Sequence, residues 1–213
     1  MLSAKDADQH SLMWKNYNNL DPKIKKSIPL KMMSEDNKIF SNYFTNIIVE
    51  ENDSRIIKPM RYRVRPQGAV AEIPNKYNVF NARLDALESR QTWSNLFMKK
   101  HGLVPLTGFY EWVLGPNNKS ELIKFAPKEK EMMWAPVLYD EWISPDKKIA
   151  FKSFAIITHE PPSEILKMGH DRCPIFLNKE FIDIWLNPKR ASKEEIYSIL
   201  QKKEDAYFDY SWV

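Results

Sequence analysis

Glu111 is the residue on which proton chemistry can be built. It lies near the end of an apolar, strand-like run from Leu103 to Trp112, between Tyr110 and Trp112. A carboxylate between two large aromatics is expected to lose water, which disfavours its charged form and raises its pKa. That shift makes a carboxylic acid useful for proton transfer near neutral pH. The plainer alternative is a strand-end carboxylate on the solvent side of an alternating pattern. A second set of residues, Arg61, Arg63 and Arg65, stands on every second position, which in a strand puts all three cations on one face. Such a face is either simply solvated or a rail for phosphates. A compact polar loop, His170-Asp171-Arg172-Cys173-Pro174, follows Gly169. His101, His159 and His170 have carboxylates nearby but no close ligand pair of the His-Glu-x-x-His kind, so no metal is expected.

The elements that must position these residues can be read in outline. Leu12, Met13, Tyr17 and Leu20 recur at helix-like intervals in a Lys-rich start, and Asp21-Pro22 is expected to stop that helix. Strands are expected over Ile39 to Val49 and Ile56 to Val64, followed by a loop to Tyr77. The pattern from Leu84 to Lys100 predicts a helix closed by His101-Gly102, with Gly as its stop. The run through Glu111 then predicts one central strand, with a hairpin turn at Gly115-Pro116-Asn117-Asn118 and a return strand over Leu122 to Phe125. Met132 to Trp142 is a strand whose Pro136 argues for a bulge or an edge. Phe151 to Thr158 is another. A short helix after Pro161-Pro162 ends at Gly169, and Ile175 to Leu177 is strand. Helices follow at Lys179 to Leu186 and Ser192 to Leu200, the latter with Ser192 and Glu195 spaced as a capping box. Tyr207 to Val213 predicts a last strand. The expected fold is α+β, with a curled, mainly antiparallel, barrel-like sheet and peripheral helices, in a single domain over residues 1–213.

Composition narrows the setting. With 43% hydrophobic residues in 213, the chain can bury a sizeable core. A net charge of +4 permits contact with nucleic acid without requiring it. The single Cys excludes an internal disulfide framework and fits a reducing compartment. No apolar run approaches the roughly 20 residues that span a bilayer, and the start does not resemble a signal peptide. The expectation is a cytoplasmic protein.

Taken together, five segments carry a resemblance. Asn81-Ala82-Arg83, the run from Val104 to Trp112, Phe154 to Thr158, His170-Asp171-Arg172-x-Pro174 and Trp185-Leu186 stand in an order and spacing similar to the SOS response-associated peptidase family. Those proteins process abasic sites in single-stranded DNA. The likeness runs from about Met60 to Trp185, and Met60 to Pro66 resembles the family's Met-Arg-Trp-Gly-Leu-Ile-Pro segment, with Arg63 in place of Gly. The resemblance implies a mature chain that begins with Cys. Its amine and thiol condense with the aldehyde of an abasic deoxyribose as a thiazolidine. By motif, Asn81 would position the N-terminal group, Glu111 would shuttle protons and His170 would assist opening of the sugar. Arg83 and Arg172 would hold flanking phosphates, with Arg61, Arg63 and Arg65 as the further DNA-binding face.

The implied activities are peptidase-type self-processing (hydrolase) and lyase-like DNA–protein crosslinking in the response to DNA damage. The implied partner is single-stranded DNA with abasic sites. No cofactor, metal or membrane is called for, and a monomer is expected. This sequence begins Met1-Leu2-Ser3-Ala4, and its one Cys, Cys173, sits inside the His170 loop where the family has Met, as expected of a small buried hydrophobe. Two accounts of the start stand open: a Cys-bearing beginning absent from this sequence, or a relative without the crosslinking thiol. The alternative function is therefore a module of the same fold that holds single-stranded DNA without a covalent step.

Overall fold

The computed structural model describes residues 3–115, 117, 119–128, 131–202 and 208–213. Helix α1 spans Ala4–Asn18, capped by the Ser3 side chain accepting from the Asp6 N–H. Of its apolar residues Met13 and Tyr17 are buried, and Leu12 faces solvent. Asp21-Pro22 ends one helix and starts another. Asp21 accepts from the Lys23 N–H and Pro22 takes the first position of α2 (Pro22–Ser27), where its missing N–H costs nothing.

The remaining elements are β1 (Phe44–Glu51), β2 (Ser54–Tyr62), β3 (Asn81–Arg83), α3 (Gln91–Ser94), β4 (His101–Leu106), β5 (Phe109–Leu114), β6 (Ser120–Pro127), β7 (Met133–Ile143), β8 (Ala150–His159), α4 (Ser163–Lys167), β9 (Cys173–Pro174), α5 (Ile182–Leu186), α6 (Lys193–Gln201) and β10 (Phe208–Trp212). Strands β2, β1, β4, β7 and β8 pair in that order, and β8 returns to β2 in parallel at Met60 to Tyr62, so the sheet closes on itself. Further along β8, Ile156 to Thr158 pair in parallel with β3, and β9 pairs with its end. A second sheet has the order β10-β6-β5. The fold is α+β, with a mixed barrel-like sheet, as expected.

Three apolar clusters hold it together. One face of the barrel strands contributes Ile47, Met60, Val104, Val137 and Phe154, on which the second sheet lays Phe109, Val113, Ile123 and Phe125. The opposite face contributes Leu103, Leu138, Ala155 and Ile157 to a cluster with Trp93, Trp185 and the apolar side of α6. Met13 and Tyr17 of α1 cover Phe44, Trp142 and Phe151 in the third.

The structure corrects the outline in two places that matter. The run from Leu103 to Trp112 is two strands in two sheets, not one. The chain leaves β4 after Leu106 and re-enters as β5 at Phe109, and a Cβ on Gly108 would lie 2.5 Å from the Phe125 carbonyl oxygen. Only glycine lets the crossing pass that close. The stretch from Leu84 to Lys100 is a short 3-10 turn (Leu84–Ala86) and one turn of helix, because Arg90 is extended (φ −95°, ψ 121°) and redirects the chain. Its Leu87, Trp93, Leu96 and Phe97 still reach the core. His101 and Gly102 open β4 rather than close a helix, with Gly102 fitted against Ile47.

The strand expected over Ile175 to Leu177 is instead the two residues Cys173–Pro174 of β9, while three local expectations find counterparts. Pro136 lies in β7 opposite Leu103, and pairing with β8 begins only at Val137, so the proline sits where it owes no N–H. Gly115 N–H meets the Lys119 carbonyl at 2.8 Å to close the β5–β6 hairpin; Pro116 and Asn118 of the expected turn lie outside the described residues. Ser192 caps α6 by accepting from the Glu195 N–H.

Candidate active site

Glu111 reaches the site because β5 alternates. Phe109 and Val113 turn inward and are buried; Glu111 shares their face, while Tyr110 and Trp112 project the other way. Trp112 is 65% exposed, so the expectation that flanking aromatics strip water from Glu111 fails for a geometric reason. The partner of Glu111 is an imidazole: its Oε2 lies 2.9 Å from His170 Nε2. His170 follows Gly169, whose φ of +85° turns the chain out of α4 into the loop before β9. The other ring nitrogen, Nδ1, lies 2.7 Å from the Arg172 carbonyl oxygen.

That pair of contacts fixes the proton count. A carbonyl oxygen can only accept, so Nδ1 carries a hydrogen. Nε2 then needs a second hydrogen to satisfy a carboxylate, or Glu111 must supply one. A protonated imidazole satisfies both contacts at once, donating from Nδ1 to the Arg172 carbonyl and from Nε2 to the Glu111 carboxylate. Hydrogen bonding to Glu111 accordingly raises the His170 pKa above its ordinary value, against the pull of partial burial.

Asn81 comes from β3. The local turn is served by another residue: Asn78 Oδ1 accepts from both the Phe80 and Asn81 N–H groups, leaving the Asn81 side chain for other work. Its Oδ1 accepts from the Tyr62 hydroxyl at 3.0 Å. Burial, with the Glu111 charge second, pushes the Tyr62 phenol well above its ordinary range. Tyr62 is therefore bonded to Asn81 and feels the Glu111 charge, and it is the residue that sequence reasoning missed. Its signal was parity with Met60 on β2, which places both on the same face.

Arg83 and Arg172 meet at Asp85. Arg83 grips it with Nε at 3.0 Å and Nη2 at 2.5 Å, and Arg172 Nη2 lies 3.7 Å from the same carboxylate. The loop that carries His170 thus brings one cation to the other beside the site. The remaining arginines are a correction. Arg61, Arg63 and Arg65 are buried, at 0%, 6% and 2% exposure, and converge on Glu72. They donate to the carbonyls of Pro29, Arg63, Ile73 and Ser27 and lie over the rings of Phe151, Phe80 and Trp142. They do converge on one side of the chain, but α2 and the loop after Pro66 cover that side. They hold the fold together and offer no rail to DNA. Arg63 has φ +104°, a conformation natural to the glycine of the resembled segment.

His101 is structural. It is stacked on Trp185 at 3.8 Å, with Nδ1 toward the Trp185 carbonyl and Nε2 accepting from the Met98 N–H. Cys173 is buried at the β8–β9 pairing, as a small hydrophobe would be. Met1 and Leu2, where the attacking group is expected, lie outside the described residues. No described helix is long and apolar enough to cross a membrane.

A closed mixed barrel with a Glu–His pair at its edge, an Asn tied in through a phenol and two arginines alongside defines a recognisable class. The chain belongs to the SOS response associated peptidase (SRAP) family, whose match runs over residues 6–213. It is 27% identical over 155 residues to the abasic site processing protein YoqW of Bacillus subtilis, covering 72% of this chain and 67% of that one. Abasic site processing protein YMR114C of Saccharomyces cerevisiae is 29% identical over 133 residues, covering 61% of this chain and 34% of the yeast protein. Among solved structures, a Bacteroides thetaiotaomicron protein superposes with a TM-score of 0.65 at 24% identity, covering 80% of this chain and 73% of that one. A Bordetella bronchiseptica protein gives 0.65 at 17%, covering 90% and 94%. At those identities the two structures speak to the fold alone.

Proposed function

We propose that this chain processes abasic sites in single-stranded DNA by attack of an N-terminal amine on the sugar aldehyde, with Glu111 and His170 moving the protons. The observation that carries this is the 2.9 Å contact between Glu111 Oε2 and His170 Nε2, with His170 Nδ1 held against the Arg172 carbonyl. Amine addition to an aldehyde forms a C–N bond and a carbinolamine. The nitrogen must then lose a proton and the hydroxyl must gain one to leave as water, which yields an imine. A pair that holds one mobile proton serves both transfers. The same pair would deliver a proton to a leaving amine in peptidase-type self-processing. Asn81 positions the amine, and Arg83 and Arg172 bind phosphates on either side of the lesion, Arg forks matching phosphate oxygens. An abasic nucleotide has no stacked base to extract, so it enters the site cheaply. The relatives' names point the same way.

A chain expressed from Met1 carries an α-amine with no thiol on its first two residues. Its link to the aldehyde is then a reversible imine, seen after borohydride reduction and absent without it. The test is incubation with an end-labelled oligonucleotide containing one abasic site, followed by denaturing electrophoresis. Glu111→Gln should lower the trapping rate by about 10²-fold or more, the usual contribution of a positioned acid–base group. Inserting Cys after Met1 should give a link that survives without reductant. Binding of the oligonucleotide with no trapped species in either form would refute the covalent step and establish the non-covalent module instead.

A further inference from the structure

We infer that Tyr62 is a positioning residue of this site, its hydroxyl orienting the Asn81 amide so that the Nδ2 donors face the reacting groups. This rests on the functional reading above and adds to it a residue on a different strand. An asparagine amide presents a donor end and an acceptor end of nearly equal shape, and a flip exchanges them. What favours one orientation is a neighbour that donates better than it accepts, and a phenol, whose oxygen lone pair is delocalised into its ring, is such a neighbour. Tyr62 donates to Asn81 Oδ1 at 3.0 Å. Its phenol is held well above its ordinary ionisation range, so it keeps its proton at every working pH.

The hydroxyl is also fixed in space. The Tyr62 ring stacks on Phe154 at 5.2 Å and meets the edge of Phe80 at 5.7 Å. Its backbone N–H donates to Tyr43 O at 2.8 Å, and its carbonyl accepts from Asn42 N–H at 2.9 Å. The next residue, Arg63, is kept in its left-handed conformation by its contact with the Phe80 ring and the Ile73 carbonyl. The Asn81 backbone is fixed in turn by β8 and by Asn78. Both partners therefore come from rigid strands of the barrel, and a hydrogen bond between them fixes one amide orientation.

Tyr62→Phe removes the hydroxyl and keeps the ring, so the fold is retained. Two readouts are needed. The first is the Asn81 side-chain amide in a ¹⁵N-correlated spectrum of the free protein, assigned by its loss in Asn81→Asp. Tyr62→Phe should shift that pair of resonances and speed their hydrogen exchange about tenfold. The second is borohydride trapping of abasic single-stranded DNA, which Tyr62→Phe should slow about tenfold at unchanged DNA affinity, the size expected for one lost hydrogen bond. In an Asn81→Ala background the same change should have no further effect, because the residue it acts through is gone. An Asn81 amide indifferent to Tyr62→Phe overturns the inference, as does full additivity of the two substitutions in trapping. A wild-type chain that traps nothing overturns the functional reading instead; the amide spectrum then decides the Tyr62–Asn81 coupling without it.

Discussion

Replacing Glu72 with Gln is expected to cost more stability than almost any other single surface-proximal change in this protein. Glu72 accepts from Arg61 Nη1 at 2.7 Å, Arg61 Nη2 at 3.2 Å and Arg65 Nη1 at 3.0 Å, with Arg63 Nε at 4.0 Å. The three guanidinium groups are at most 7% exposed and the Glu72 side chain 14%. Burial lowers the Arg61 pKa from its ordinary value, and hydrogen bonding to Glu72 is the main opposing force. Without that carboxylate, three like charges remain in a dry place, and the amide sets an N–H₂ against them. Breaking a buried ion pair by removing one partner costs about 3 to 5 kcal/mol. For a chain of this size each kcal/mol lowers the melting temperature by about 2 to 4 °C, so a fall of roughly 6 to 20 °C is expected. Thermal unfolding followed by circular dichroism measures it, at low and at high salt, because a buried cluster is little screened. Were the three arginines a solvent-facing rail, Glu72→Gln would leave stability within about 1 kcal/mol and would tighten DNA binding. That pair of results would refute the assignment of the cluster to the core.

On the proposed function, the two arginines left beside the site would set the salt dependence of DNA binding. Arg172→Ala should weaken single-stranded DNA of every sequence alike and reduce the log–log salt slope by about 0.7, one phosphate contact's worth; an unchanged slope would remove Arg172 from the interface. His101 makes the fold acid-sensitive: burial takes its pKa from 6.5 down to about 3. Above 6.5 both folded and unfolded states are neutral there and nothing is lost. Below it the unfolded chain takes up the proton first, so stability falls with pH and by pH 5 is lower by about 2 kcal/mol. His170, raised by Glu111, acts with the opposite sign, its contribution present below 6.5 and lost as pH rises through its higher folded value. Urea unfolding of wild type and His101→Gln at pH 7 and pH 5 separates the two; an equal pH dependence in both would show that His101 is not the cause.

What the sequence discloses depends on whether the deciding contact is local. Ser192 caps the helix that follows it by accepting from the N–H three residues on, and Pro136 lies just before the pairing of its own strand with β8 begins, so both are legible. The β5–β6 hairpin is legible for the same reason, since its register is set by its own turn. Glu111 and His170 are 59 positions apart and owe their contact to α4 and the Gly169 turn, which no periodicity reports; the motifs implied a role for each but not their contact. The arginines show the opposite failure. Arg61, Arg63 and Arg65 do converge on one carboxylate, but β2 ends at Tyr62 and Arg63 has a positive φ, so strand alternation is not the cause, and what covers them, Ser27, Pro29 and Glu72, comes from segments whose docking is a tertiary event. Likewise the break after Leu106 separates strands of two different sheets, β4 with its partner β7 and β5 with its partner β6, which one apolar run does not disclose.

The site also draws on two sheets, and this bears on how it can work. Tyr62 and Asn81 belong to the barrel, where β2 and β3 flank β8, whereas Glu111 belongs to the hairpin sheet. Their relative placement is set by what lies between: Phe109 stacks on Phe125 at 5.2 Å, with Phe176 and Phe208 closing around them. Phe176 lies two residues past the end of β9, so the loop that offers His170 is tied down at the same aromatic junction. An amine approaching an aldehyde needs its orienting amide and its proton carrier at fixed separation. In the reaction proposed above, the Asn81 amide would be held by the barrel through Tyr62 and the Glu111 carboxylate by the hairpin, with the phenylalanine cluster joining the two. The chemistry assigned to Glu111 is therefore only as precise as an apolar junction that touches neither DNA nor the proton.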